Sequence, residues 1–316
     1  MTPLRLRDLV RKTLTEWQED KAPRLAAALA YYTAFSLAPI LVIAIAVVGV
    51  VFDRQAAREQ VVRQINSLAG PQGAELVDSM LNAAQDMGEN VLATVFGLLA
   101  LIFGATGVFG QLQDALNTMW EVAPKPQKGI TGFIKKRFFS FTMVVGVGFL
   151  LLVSLAISAA LSALSEWSVG LLPGLEAVMQ GINFVVSLLV ITLLFALVFK
   201  YVPDAEIAWW DVWLGAGVTA LLFTIGKLLI GLYLGNTDVT EGFGAAGALV
   251  VILLWVYYSA QISFFGAEFT QVYANAYGSR VVPDEDAVAL SEEARLQQGM
   301  PREEQVRVAE RETHDN

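Results

Sequence analysis

The stretch GFGAAGALVVILLWVYYSAQISFFGA, residues 242–267, carries no charged side chain. A helix rising about 1.5 Å per residue needs about 20 mostly apolar residues to cross a hydrocarbon core of roughly 30 Å. This stretch is long enough, and it is not alone. Working back through the chain, residues 212–234 hold one charge, Lys227, while 177–199, 138–165, 91–112 and 25–52 hold none. Polar segments separate all six. A buried helix of a soluble protein is usually shorter and amphipathic, so the pattern predicts an all-α, polytopic membrane protein with six transmembrane helices.

Composition agrees. The chain has 316 residues, 55% hydrophobic and 16% charged, against about 25% charged for a soluble domain. It has no cysteine, and its single histidine, His314, is third from the end. Disulfides, thiolate metal sites and the usual His-rich zinc centres are therefore out of reach. No G-x-S-x-G elbow, Walker loop or dinucleotide fingerprint occurs. The expectation is a protein that is not an enzyme and uses no cofactor. A net charge of −9 argues against nucleic acid as a partner. With no nucleotide-binding motif, any transport would be passive, ion-coupled or powered by a partner.

Orientation follows Lys and Arg near the membrane. The N-terminal segment, the loops near 125–137 and 200, and the C-terminal tail together carry seventeen of these residues; the other side carries three, Arg54, Arg58 and Arg63. That bias predicts both termini in the cytosol. The N-terminus, with Arg5, Arg7, Arg11 and Lys12 and no short apolar core, does not read as a cleavable signal. Residues 1–24 form a cytosolic amphipathic segment, 25–280 the membrane domain, and 281–316 a charged tail expected to be mobile. Leu6, Leu9, Val10, Leu14 and Trp17 recur at helical spacing. They fit either a helix lying in an anionic interface or a short soluble helix. In the long outer loop 53–90, Val61, Val62, Ile65 and Leu68, then Leu76, Val77, Met80 and Leu81, predict two amphipathic helices broken at Gly70-Pro71-Gln72-Gly73.

Small residues recur at i+4 spacing: Ala26, Ala30, Ala34 and Ala38 on the first span, and Ser154, Ser158 and Ser162 on the third. Gly97, Gly104, Gly107 and Gly110 smooth the second, and Pro39 is expected to bend the first. Such ridges chiefly serve helix packing. Polar groups at membrane depth are costly and more informative. Lys227 either snorkels outward, pairs with Asp238, Glu241 or Glu176, or holds an anionic group. Gln111, Asp114 and Asn117 share one helical face, Gln261 and Glu268 another, with Gln271 three beyond, and Arg137 opens the third span on the same side. These residues are either interfacial bonding groups or a gate or headgroup site facing the cytosol.

Four strings carry a resemblance: RLAAALAYYTAFSLAPIL (24–41), FGATGVFGQLQDALNTMWEV (103–122), WWDVWLGAGVTALLFTIGKLLIGLYLG (209–235) and GAAGALVVILLWVYYSAQISFFGAEFTQVYA (244–274). Over roughly residues 10 to 280 the chain resembles the YihY/BrkB family. The resemblance implies a bacterial inner-membrane protein with six spans. It also implies transport of an anionic lipid or envelope precursor, since one relative is connected with lipopolysaccharide-precursor export. The family carries the label virulence factor and an older label, ribonuclease BN, that looks like a mistaken assignment. It supplies no catalytic residues. It places Lys227, Gln113, Asp114, Asn117 and Glu268 within its strings. The alternatives are a membrane scaffold for envelope assembly and, less favoured, a membrane enzyme. Membrane lipids are the expected partners, and the sequence leaves the oligomeric state open.

The absence of native cysteine makes the topology directly testable. A cysteine placed near Gln72 should react with an impermeant maleimide on intact spheroplasts, and one near Gln127 only after permeabilisation. The reverse pattern would overturn the assignment.

Overall fold

The computed structural model describes residues 6–48, 54–86, 107–125, 175–236, 247–302 and 305–307. Helix α1 (Leu6–Glu19) turns sharply into α2 (Ala22–Val48). Helix α3 covers Arg54–Asp86, and residues 107–119 form α4, followed by strand β1 (Val122–Pro124). Then come α5 (Leu175–Tyr201), β2 (Ala205–Glu206), α6 (Trp209–Asn236) and α7 (Gly247–Tyr277). The chain finishes with β3 (Val282–Pro283), β4 (Ala287–Ala289) and α8 (Glu292–Gln297).

Three helices are long and apolar enough to cross a membrane, through Phe184–Tyr201, Trp209–Ile230 and Leu249–Tyr277. They correspond to the fourth, fifth and sixth predicted spans. The helical part of the first predicted span is α2. Most of the second and all of the third, with Arg137, lie outside the described residues, so the structure does not establish a count of six.

Helices α6 and α7 run antiparallel through a seam of reciprocal glycine–threonine contacts. A Cβ built on Gly215 would sit 1.8 Å from Thr270 Oγ1, and one on Gly266 would sit 1.9 Å from Thr219 Oγ1. Both threonines are buried. Thr219 Oγ1 donates to the Gly215 carbonyl and Thr270 Oγ1 to the Gly266 carbonyl, each at 2.7 Å. The hydroxyls are thus satisfied within their own helices and leave no polar atom stranded, while the glycines allow the backbones close approach. Around this seam Leu25, Leu116, Trp120, Phe199, Val212 and Phe264 form one core at the end of the bundle where α1 meets α2.

At the opposite end, α3 doubles back on itself. Arg58 and Asp78 lie 20 residues apart, which a straight helix would separate by about 30 Å. Yet Arg58 Nη2 reaches Asp78 Oδ1 at 2.5 Å. Helical geometry carries through the predicted break at 70–73, but the two arms fold together there. Their apolar faces, Val61, Val62 and Ile65 with Leu76, Val77 and Leu81, close over Leu37, Val251 and Ile252.

The tail requires a correction. Residues 282–302 were expected to belong to a mobile segment; they fold onto the bundle. Strand β4 pairs antiparallel with β1, Val122 opposite Ala289, and β3 pairs with β2, Ala205 opposite Pro283. Ser291 caps α8 by accepting from the Ala294 amide at 3.2 Å. Met300, near the end of this stretch, is buried. Ladder bonds and apolar burial together outweigh the charged composition on which the expectation of mobility rested.

The seam gives a sharp test. Gly266→Ala should destabilise the protein by about 1–3 kcal/mol or more through overpacking against Thr219. Gly217→Ala, whose Cβ would meet nothing within 4 Å, should be neutral or gain a little, Ala being the better helix former by about 1 kcal/mol. Denaturant titration in detergent, followed by circular dichroism, compares them. Equal stability of the two variants would remove the seam as a constraint.

Candidate functional site

The end of the bundle holding the folded tail also holds the most unusual chemistry. Asp20 sits at the elbow between α1 and α2, where Lys21 adopts a left-handed φ of 54°. Glu121, at the end of α4, has the same φ of 54°. Non-glycine residues in this region cost of order 1–3 kcal/mol unless the surroundings impose it. Both residues end a helix, the Lys21 amide donating to the Gln18 carbonyl at 3.1 Å and the Glu121 amide to that of Thr118 at 3.0 Å, and ion pairs gather around them. Arg295 of α8 is 1% exposed and reaches Asp20, also 1% exposed, with Nη2 to Oδ1 at 2.5 Å. Its Nη1 lies 3.9 Å from Glu121 Oε1. Arg302 bonds the same Glu121 oxygen and places Nε 3.1 Å from Glu292 Oε1. Arg24, one turn into α2, donates to the Gln298 carbonyl at 3.3 Å.

Glu268 of α7 completes the cluster. It too is 1% exposed, and its carboxyl lies beside that of Asp20. Two adjacent carboxylates in a dry site repel strongly, so the arrangement depends on the cation beside them. Glu268 Oε1 and the Arg295 Nε and Nη1 atoms have no hydrogen-bond partner among the described residues. The network is therefore buried but incomplete in hydrogen bonds. Burial raises the Asp20 carboxyl above the ordinary range although Arg295 stands beside it, and burial likewise raises Glu16 of α1. For Arg295 burial works against the charge, but Asp20 and Glu121 more than offset it and its value is raised.

The other predicted residues are dispersed. Asn117 is buried, but it is not grouped with Asp114. Its Nδ2 donates to Asp204 Oδ2 at 2.8 Å and its Oδ1 accepts from the Asp204 amide at 2.7 Å. Gln113 donates to the other Asp204 oxygen at 2.9 Å. Together they fix the loop after α5. Asp114 is exposed, Gln111 and Gln261 are half-buried, and Gln271 is buried one turn beyond Glu268. Lys227 is exposed on α6 beside exposed Leu228 and Leu229. Its suggested partners Asp238 and Glu241 lie outside the described residues, as does the side chain of Glu176. Among the described residues no group of three or more His, Cys, Asp or Glu has a geometry that could hold a metal ion.

Sequence reasoning found Glu268 and missed Asp20, Glu121, Arg295 and Arg302. Asp20 stands in EDKAPR beside three other charges, and Arg295 stands in a charge run; both look like solvated flanks. Only the paired strands bring them inside.

Apolar spanning helices capped by a charged, folded end define a helical membrane protein. The comparisons narrow this. The family profile described as Virulence factor BrkB matches residues 13–290, and the chain belongs to that family. Among its relatives, a UPF0761 membrane protein of Ralstonia nicotianae is 29% identical over 266 residues, 83% of this chain and 58% of the relative. One from Pseudomonas paraeruginosa is 28% identical over 78% of this chain and 58% of its own length. One from Acinetobacter baylyi is 23% identical over 85% and 62%. The chain thus spans about three-fifths of the length of these relatives. Their names give a membrane protein and no enzyme class. No solved structure gives a significant match.

Breaking the pair from either side should cost about 3–5 kcal/mol, by stranding a buried charge, whereas the double replacement Asp20→Asn, Arg295→Met should come close to wild type. The two single losses should differ in pH dependence. A carboxyl raised by burial contributes stability that is full below the ordinary aspartate value of about 3.9 and is lost as pH rises through the folded value. Arg295→Met, which leaves Asp20, should therefore recover stability on acidification, and Asp20→Asn, which leaves a permanent cation, should not. Thermal unfolding in detergent between pH 4.5 and 8 checks both; additive losses in the double variant would exclude a coupled pair.

Proposed function

We propose that this chain is a transporter or flippase of the bacterial inner membrane that moves an anionic lipid or envelope precursor. The N- and C-termini face the cytosol, and the buried acid–arginine network is the gate on that side. The observation that carries this reading is the buried Asp20–Arg295 pair with the Glu268 carboxyl beside Asp20. A buried ion pair is seldom the most stable way to fill a site, since apolar residues of similar volume often do better. Its use where three elements meet, with two neighbouring buried carboxyls and unpaired donors, supports a role in switching between arrangements. Taking the proton from the carboxyl pair would put two like charges side by side, favouring separation of α7 from the α1–α2 elbow. That is one way to link a proton to opening.

Lys227 plays a different part in this reading. From the exposed Trp213, which marks one interface, to Lys227 is about 21 Å along the helix, so the far edge of a 30 Å core lies about 9 Å away. The lysine stem covers most of that distance. Lys227 is then a cation at the outer interface that meets anionic headgroups as they arrive or leave. On the described helices Asn117 stands four residues before Glu121 on α4, and Gln261 stands two turns before Glu268 on α7.

A second reading, a non-transporting scaffold for envelope assembly, draws support from the α6–α7 seam, which leaves no room for a cavity between those helices. Reconstitution separates the two. Purified protein in vesicles of phosphatidylethanolamine and phosphatidylglycerol should move a labelled phosphatidylglycerol between leaflets. Glu268→Gln should slow this by about tenfold, one lost proton-linked step, while the protein stays folded. Lys227→Met should weaken the preference for anionic over zwitterionic label. If the folded wild-type protein moves no labelled lipid at any pH or ion gradient, the transport reading fails and the scaffold stands.

A further inference from the structure

Helix α1 has three faces, and only two are accounted for. Successive residues step about 100° around the axis. Leu9, Thr13, Glu16 and Asp20 therefore fall together, and Leu9 clusters with Phe269 and Val272 of α7, against which Leu214 and Val218 of α6 also pack. A polar face holds Asp8, Lys12, Thr15 and Glu19. Between these lies a stripe of Leu6, Val10 and Leu14, spaced four apart and left exposed, Leu6 at 74%. Arg7 and Arg11, both exposed, border the stripe on the side away from the bundle.

The position of the stripe says what covers it. The residues beneath Leu9 belong to the first turns of α6 and the last turns of α7, at the depth where Trp209, Trp210 and Trp213 are exposed, Trp210 at 76%. Exposed tryptophans at the end of an apolar span mark the headgroup level of a bilayer. The stripe continues the lipid-facing surface of α6 sideways into that level. Its flank is basic, which fits an anionic headgroup layer, and the bundle contact holds the helix flat against the end of the spans.

We infer that α1 is an interfacial helix that inserts Leu6, Val10 and Leu14 into an anionic leaflet, with Arg7 and Arg11 on the headgroups. The occupant of the stripe is the bilayer itself. The inference stands whether or not the protein moves lipid, since it rests on α1 alone. Because Asp20 ends the same helix, the leaflet and the buried ionic network share one rigid element.

The test uses the full chain in proteoliposomes of phosphatidylethanolamine and phosphatidylglycerol, which the lack of native cysteine makes simple. A polarity-sensitive fluorophore is attached at Val10→Cys or, on the polar face, at Lys12→Cys. The probe at position 10 should be quenched by lipids brominated high on the acyl chain, with aqueous iodide quenching about fivefold weaker than at position 12. Replacing phosphatidylglycerol by phosphatidylcholine, or Arg7 and Arg11 by Gln, should raise iodide access at position 10. Equal iodide access at both positions would overturn the inference in favour of a solvated helix. Efficient disulfide cross-linking of Val10→Cys between copies, with no lipid quenching, would overturn it in favour of a protein contact. Retained lipid quenching that ignores lipid charge would overturn the assignment of Arg7 and Arg11.

Discussion

Arg295 reaches Asp20 across 275 positions of sequence, and much of the charged end of the molecule depends on that contact. Asp20 sets the elbow between α1 and α2. Arg295 can reach it only if α8 lies over the elbow between α1 and α2, and the pairing of β3 and β4 with β2 and β1 brings it there. Glu121 is drawn in from the end of α4 by the same guanidinium and by Arg302. One cation thus gathers the first helices, the end of α4 and the last folded segment.

The two ends of the bundle solve the problem of a membrane protein's exposed termini differently. At the α3 end the solution is apolar: two amphipathic arms fold together, and their valines and leucines close over the start of α7. At the tail end it is ionic, with buried carboxylates and arginines. An apolar cap is held by a nondirectional effect and tolerates small shifts. An ionic cap in a dry site is sharply dependent on geometry and on protons. The asymmetry between the ends gives the molecule one end suited to responding to its surroundings and one suited to staying closed.

How much of this was legible follows from which physical signal each part uses. Span identity is written in uncharged length, so composition alone places residues 177–199 within α5, 212–234 within α6 and 247–267 of the last stretch within α7. The arms of α3 are written in periodicity, and Gly70-Pro71-Gln72-Gly73 marks where they turn. Glu268 could be picked out because an acid beside a span is costly wherever it points. The α6–α7 seam is legible in principle, as Gly215 and Thr219 share the spacing of Gly266 and Thr270, but two such pairs make a fainter pattern than the alanine and serine ridges. Arg295 could not be read at all. Its neighbours Glu292, Glu293 and Gln297 are exposed, and local composition therefore describes the helix correctly and its buried member wrongly. Burial there is decided by two- and three-residue strands too short to leave a pattern.

Tertiary contact also explains why Asp114 and Asn117 parted company. Both stand on α4, three residues apart, and sequence alone gives them equal claim to a polar site. The loop after α5 brings Asp204 to one side of the helix. Its two carboxylate oxygens and its amide are met by Gln113 and Asn117, which are four apart and so lie on one face. Asp204 has no bond left to offer Asp114, and a second carboxylate beside it would be repelled. Asp114 therefore faces outward. A motif string places residues near one another; which of them become a site is settled by the partner that arrives from elsewhere in the chain.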